Sequence, residues 1–284
     1  MTQRSIAQLI QARAVREGAG VTVHRTIGTS GLQHFDPFLM LDHFGSDDPS
    51  QYIAGFPDHP HRGFVTLTYM LDGHMLHHDS MGNQGDLRSG AAQWMRAASG
   101  VIHSEMPQQT AGLMRGFQLW INLPATQKMS DPAYQEFAPE RIPEVREAKR
   151  RVRVISGEYA GVHGPVDDPH TQVQYLDVNL DAGATFQSTL PTALRAFVYV
   201  FEGSAQTQGK DVPLHSLAIL GDGDEFTVTA GAQGARFILV AGRPLGEPIV
   251  KHGPFVMNTP AEMERALDDY RIGRLVQKKA SMRG

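Results

Sequence analysis

The chain has 284 residues, a net charge of −4, 20% charged residues and 41% hydrophobic ones. That length suits two domains of ordinary size, and the mild acidity argues against direct nucleic-acid binding. With no cysteine there are no disulfides, thiolate metal sites or cysteine nucleophiles, and no apolar run is long enough to span a membrane.

The opening stretch MTQRSIAQLIQARAVREG lacks a continuous apolar core and a cleavage signature, so secretion is not expected and the expected compartment is cytoplasmic. The 29 Gly and 17 Pro favour a turn-rich, all-β design. From Val21 to about Leu123, short apolar stretches alternate with Gly, Asp, Asn and Pro. FVTLTYML reads as a strand, with Val65, Leu67 and Tyr69 on one face and Thr66, Thr68 and Met70 on the other. Asp72-Gly73 and MGNQGD at Met81 to Asp86 are turn signals. His74, His77 and His78 follow the first of these and read as surface residues of a hairpin. RGFQLWINLP reads as another strand, stopped by Pro124.

The stretch SDPAYQEFAPERIPEVREAKRRVRV carries three prolines and dense charge of both signs. It reads as an interdomain connection. The expected organisation is an N-terminal domain at 1–135, a linker at 136–150 and a C-terminal domain at 151–284. The second half echoes the first: TYMLDG ends at Gly73 and VYVFEG at Gly203, an offset of 130. At that offset His59 falls on Thr189 and His61 on Pro191, so a duplicated second copy has no metal ligands. Near the end, Thr259 as N-cap, Pro260 and Glu262 form a capping box, predicting a helix at about 259–272. Its apolar stripe is Met263, Ala266, Leu267 and Tyr270, with Gly273 as the stop.

Two short pairs carry the chemistry: His59 and His61, then His103 and Glu105. Strand residues two apart share a face, so each pair can point inward from its strand. On neighbouring strands the pairs would supply three imidazoles and one carboxylate, a set suited to iron, manganese, nickel or zinc. On an octahedral ion, four such ligands leave two positions free; on a tetrahedral ion they leave none. Phe56, Trp94, Gln118 and Trp120 are candidate pocket residues around the ion. Arg62, facing away from its ligand neighbours, reads as structural.

Taken in order, DPFLMLDHFG at Asp36 to Gly45, FPDHPHRGF at Phe56 to Phe64, QWMRAASGVIHSEMP at Gln93 to Pro107, LWINLP at Leu119 to Pro124 and GPFVMNT at Gly253 to Thr259 resemble the pirin family of the cupin superfamily. The resemblance covers nearly the whole chain. It implies two tandem cupin barrels (double-stranded β-helix, or jelly-roll) with a short C-terminal helix. It also implies one iron ion, Fe2+ or Fe3+, in the N-terminal barrel alone, at His59, His61, His103 and Glu105; other divalent transition metals could occupy the same set. Some members resemble quercetin 2,3-dioxygenases, which open a flavonol ring with dioxygen and release carbon monoxide. In that reading a flavonol-like substrate and dioxygen are the partners, and Glu105 is also the general base that takes the substrate's hydroxyl proton. Others resemble redox-responsive proteins in which iron reports its oxidation state to a protein partner such as a transcription regulator. One departure stands out: the residue after HPHRGF, commonly Glu in the family, is Val65 here.

Overall fold

β-Branched and aromatic residues recur between glycine- and proline-marked turns, and the regular structure of the chain is accordingly nearly all strand. The structure, a computed structural model, describes residues 2–283. The outermost residues of the two expected domains, 1 and 284, lie outside the described residues. The chain forms two compact units that interleave along the sequence. One gathers the segment ending at Arg13 together with Glu140–Pro244; the other gathers Ala14–Pro139 together with the segment from Leu245 onward.

The unit built on Ala14–Pro139 holds both histidine motifs. A four-stranded antiparallel sheet runs in the order Phe56–His61, Val101–Pro107, His74–Asp79, Gln84–Arg88. A larger sheet includes, in order, Val21–Arg25, Phe38–Ser46, Met114–Asn122, Phe64–Asp72, Ala92–Arg96 and Ala133–Phe137. Met75 and Leu87 of the small sheet pack against Val23, Phe44, Met70 and Met114 of the large one. Burying each such side chain contributes about 1.5–3 kcal/mol, so the two sheets close on a shared apolar layer. FVTLTYML lies within the strand Phe64–Asp72, and both of its faces are buried.

The helix spans Pro260–Arg271. Its capping box forms as expected: the Thr259 hydroxyl accepts from the Glu262 N–H, and the Glu262 carboxylate accepts from the Thr259 N–H at 2.9 Å. Met263 and Ala266 are buried against Phe255, Met257 and Leu275, while Tyr270 is 45% exposed beside the Phe255 ring. Gly273, at φ +71°, follows the last turn.

The expected division of the chain differs from this arrangement in two ways. First, the helix belongs with the first histidine unit rather than with residues 151–244. The reason is Arg62. Its buried guanidinium donates to Asp269 on the helix at 2.9 Å, to the Leu275 carbonyl at 3.2 Å and to the Ser99 carbonyl at 2.7 Å. Arg62 is thus structural, as the sequence suggested. Second, the span expected to be a linker, 136–150, is largely structured. Ala133–Phe137 pairs with Ala92–Arg96, and Glu144–Glu147 forms an antiparallel hairpin with Arg150–Ser156. Its charges form edge ion pairs, Glu144 with Arg146 and Glu147 with Arg150, on a strand held by half-buried Val145.

In the other unit, Ile6–Gln11 pairs with Ser216–Leu220 in a nine-stranded sheet. Thr189 and Pro191 line a cavity of about 530 Å³ with Arg150, Tyr159, Gln174 and Gln187, and no histidine lines it. No helix of the described residues is long and apolar enough to cross a membrane.

Candidate metal centre

Strand register assembles the cluster. In the small sheet His103 pairs with His59 and Val101 with His61, which brings both motifs onto adjacent strands. The ring centroids lie 4.3 Å apart for His59 and His103, 4.7 Å for His59 and His61, and 4.9 Å for His61 and His103. One nitrogen from each ring falls within 4.8 Å of the others. The tight turn after His61 depends on Gly63, at φ +90°, where an added Cβ would sit 1.9 Å from the Val256 carbonyl oxygen. That contact explains the glycine of HPHRGF.

The donor set suits a cation. His61 and His103 are each 1% exposed. Burial, with the neighbouring imidazoles, holds both well below the ordinary histidine pKa, so both are neutral and able to donate lone pairs. His103 Nε2 is buried without a hydrogen-bond partner among the described residues, and neither His61 ring nitrogen makes a well-formed hydrogen bond, although the Pro254 carbonyl lies near that ring. His59 Nδ1 lies 2.8 Å from the Pro57 carbonyl, which fixes the N–H there and frees Nε2. A buried orphan nitrogen costs about 1–3 kcal/mol, a penalty that coordination would remove.

Glu105 stands beside this cluster rather than within it. The register shifts between His103 and Glu105, and the carboxylate accepts from Gln118 Nε2 at 2.9 and 3.2 Å and from the Thr68 hydroxyl at 3.4 Å. Burial raises its pKa, against the opposing pull of His59 and of those hydrogen bonds. Gln118 Oε1 accepts in turn from Trp120 Nε1 at 3.2 Å, so its amide has one orientation. Val65 alternates with Thr66 and Thr68 on an unbroken stretch of strand and faces away from Glu105. A carboxylate at that position would not join this hydrogen-bond network.

The cluster opens into a cavity of about 680 Å³ lined by Phe56, His59, His61, Gln118, Trp120 and Lys251, among others. Trp120 packs on Phe64 at 4.3 Å and meets the edge of His61 at 5.2 Å. Of the four expected pocket residues, Phe56, Gln118 and Trp120 line the cavity. Trp94 does not: it alternates with Gln93, whose amide reaches Glu136, and so lies on the other face of its strand. Two contributors escaped the sequence reading. Lys251 places its ammonium 5.1 Å from the Trp120 ring centroid. His77, expected at the surface, is 1% exposed and lies 3.3 Å from His103. The signal was present in the strand period, because Met75, His77 and Asp79 share a face and Met75 is apolar.

Residues 20–121 match the family model "Pirin", and residues 175–276 match "Pirin C-terminal cupin domain". A pirin-like protein of Caulobacter vibrioides is 47% identical over 276 residues, covering 96% of this chain and 100% of its own. Human pirin is 40% identical over 277 residues, covering 95% and 93%. The crystal structure of a quercetin 2,3-dioxygenase from Acinetobacter baumannii superposes with a TM-score of 0.91 at 32% identity, covering 98% of this chain and all of that one. The histidine strands and the histidine-free second cavity thus sit in two cupin domains, and the chain belongs to the pirin family.

Proposed function

We propose that this chain is a mononuclear non-haem iron oxidoreductase of the quercetin 2,3-dioxygenase type, opening a flavonol-like ring with dioxygen. The observation that carries the reading is three converging imidazoles, with His61 and His103 buried and neutral and with His59 and His61 in the wall of a 680 Å³ cavity that has an aromatic side. That volume lies within the usual range for small-molecule sites. The likeness to the Acinetobacter baumannii quercetin 2,3-dioxygenase supports the same substrate class. His59, His61 and His103 would hold the ion, with Glu105 as the fourth ligand.

Bound there, iron would supply Lewis acidity and redox chemistry. The rest falls to the chain's own side chains. Trp120 and Phe56 offer flat apolar surface to an aromatic ring. Glu105, whose pKa burial has raised, can take the proton of a substrate hydroxyl, and Gln118 holds the carboxylate in place while it does so. Lys251 stands over Trp120, where it favours negative charge on the bound ring system.

The test is oxygen-dependent loss of quercetin, with carbon monoxide detection, on protein of known iron content. Turnover that scales with iron and releases carbon monoxide is the expected result. Absence of turnover at full iron occupancy would overturn the assignment and leave an iron redox sensor with a protein partner as the reading to pursue.

A further inference from the structure

A buried hydrogen-bond chain runs from the back of His103 to the far end of the small sheet. His103 Nδ1 lies 3.3 Å from His77 Nδ1; His77 Nε2 lies 3.3 Å from the Tyr134 hydroxyl; and that hydroxyl lies 2.8 Å from Asp79 Oδ2. Asp79 is held in turn by the backbone N–H groups of Met81 and Asn83, each at 2.9 Å, and by the Asn83 side-chain amide at 2.8 Å. The register explains the assembly: His103 pairs with Asp79 and Glu105 with His77 across two adjacent strands, while Tyr134 reaches in from the large sheet. His77 and Tyr134 are each 1% exposed.

The polarity of this chain follows from its end. A carboxylate only accepts, so the Tyr134 O–H donates to Asp79. The Tyr134 oxygen then accepts from His77 Nε2–H, which leaves His77 Nδ1 bare. That nitrogen must accept from His103 Nδ1–H. Every proton is thereby assigned, and the one lone pair left over is on His103 Nε2, the buried atom that finds no partner among the described residues. The low pKa of His77, pushed to about 4 chiefly by burial, agrees with a neutral ring that accepts on one side and donates on the other.

We propose that His77, Tyr134 and Asp79 are positioning residues that lock His103 in its Nδ1–H tautomer, aim its Nε2 at the metal and pass the negative charge of Asp79 to that ligand. The inference rests on a metal at His59, His61 and His103. A histidine ligand backed by an acceptor is a stronger donor, and loss of such a backing group typically weakens metal binding 10–100-fold. A stronger donor also favours the ferric ion, so the chain lowers the iron potential.

The test is made on the full-length protein with two probes: zinc affinity by chelator competition, and the midpoint potential of the iron-loaded form. His77→Phe is expected to weaken zinc binding about 10–100-fold. Tyr134→Phe removes one oxygen and keeps the ring, so it tests the chain even where His77→Phe folds poorly. It and Asp79→Asn should weaken zinc binding less and raise the iron potential, with far-ultraviolet dichroism unchanged. Unchanged affinity and potential in Tyr134→Phe and Asp79→Asn would overturn the proposal, since His77 would then be packing alone. Failure of the unsubstituted protein to bind zinc or iron would remove the metal reading and this inference together.

Discussion

Gln118 does two jobs at one atom pair: it fixes Glu105 and is itself fixed by Trp120. Gln118→Leu should therefore cut quercetin turnover roughly 10–100-fold while leaving zinc content within about twofold. Equal loss of both would mean that Gln118 acts only by holding the metal site together. Gly63 answers to backbone geometry instead. Gly63→Ala forces a Cβ into the Val256 carbonyl at a positive φ, and about 3 kcal/mol or more of stability should be lost, read as a fall in the urea midpoint. A loss below about 1 kcal/mol would show that the turn can relax. Residue spacing revealed the three histidines, because a period of two is enough to put them on one face. The engagement of Glu105 by Gln118 could not be read that way, because it depends on a register shift between His103 and Glu105 that no local pattern announces. The same holds for Trp94, whose face is set by its partner strands rather than by its own chemistry.

At the level of elements, a single buried ammonium ties three segments. Lys128 Nζ donates to the Gly63 carbonyl at 2.7 Å, to Asn122 Oδ1 at 2.6 Å and to the Val256 carbonyl at 3.2 Å. Lys128→Met would leave three buried acceptors short of a donor, at about 1–3 kcal/mol for a stranded group. The expected result is a loss of at least about 2 kcal/mol in urea unfolding. A neutral substitution would mean that water replaces the ammonium. The helix Pro260–Arg271 was legible to within a residue or two because its signals are local: a capping threonine, a proline in the first turn and a glutamate three residues on. The strands of the histidine unit were legible for the same reason. The hairpin at Glu144–Glu147 was not, since its alternating charges resemble a solvated linker and only the pairing with Arg150–Ser156 gives them a structure.

For the molecule as a whole, burying His61, His77 and His103 couples folding to pH. Each has a folded-state pKa below the ordinary 6.5, with burial the main cause, so the unfolded chain binds more protons in mildly acidic solution. Their contribution is complete above about pH 6.5 and is lost as pH falls below it, for His77 down to about pH 4. His77, at about 4, accounts alone for about 3 kcal/mol across that window. The metal-free protein should show a urea midpoint that drops steeply between pH 7 and pH 5, and a flat profile would contradict the burial of these rings. The two-barrel plan was visible as an echo between TYMLDG and VYVFEG, but the interleaving of the two units was not, because the contacts that create it join residues some 200 positions apart. That interleaving has a consequence for how the protein is made. The histidine motifs leave the ribosome well before Asp269 and the Leu275 carbonyl, which anchor Arg62 beside His61 and lie 207 and 213 residues further along the chain from it. At 5–20 residues per second, the roughly 100 residues between Pro139 and Leu245 impose a delay of about 5–20 s during which the nascent chain carries these histidines without the contacts that anchor Arg62 beside them. On the proposed reading, ion capture would therefore be a late event in the life of the chain, and whichever metal is most available to the folded protein, rather than to the growing one, would have first claim on the site.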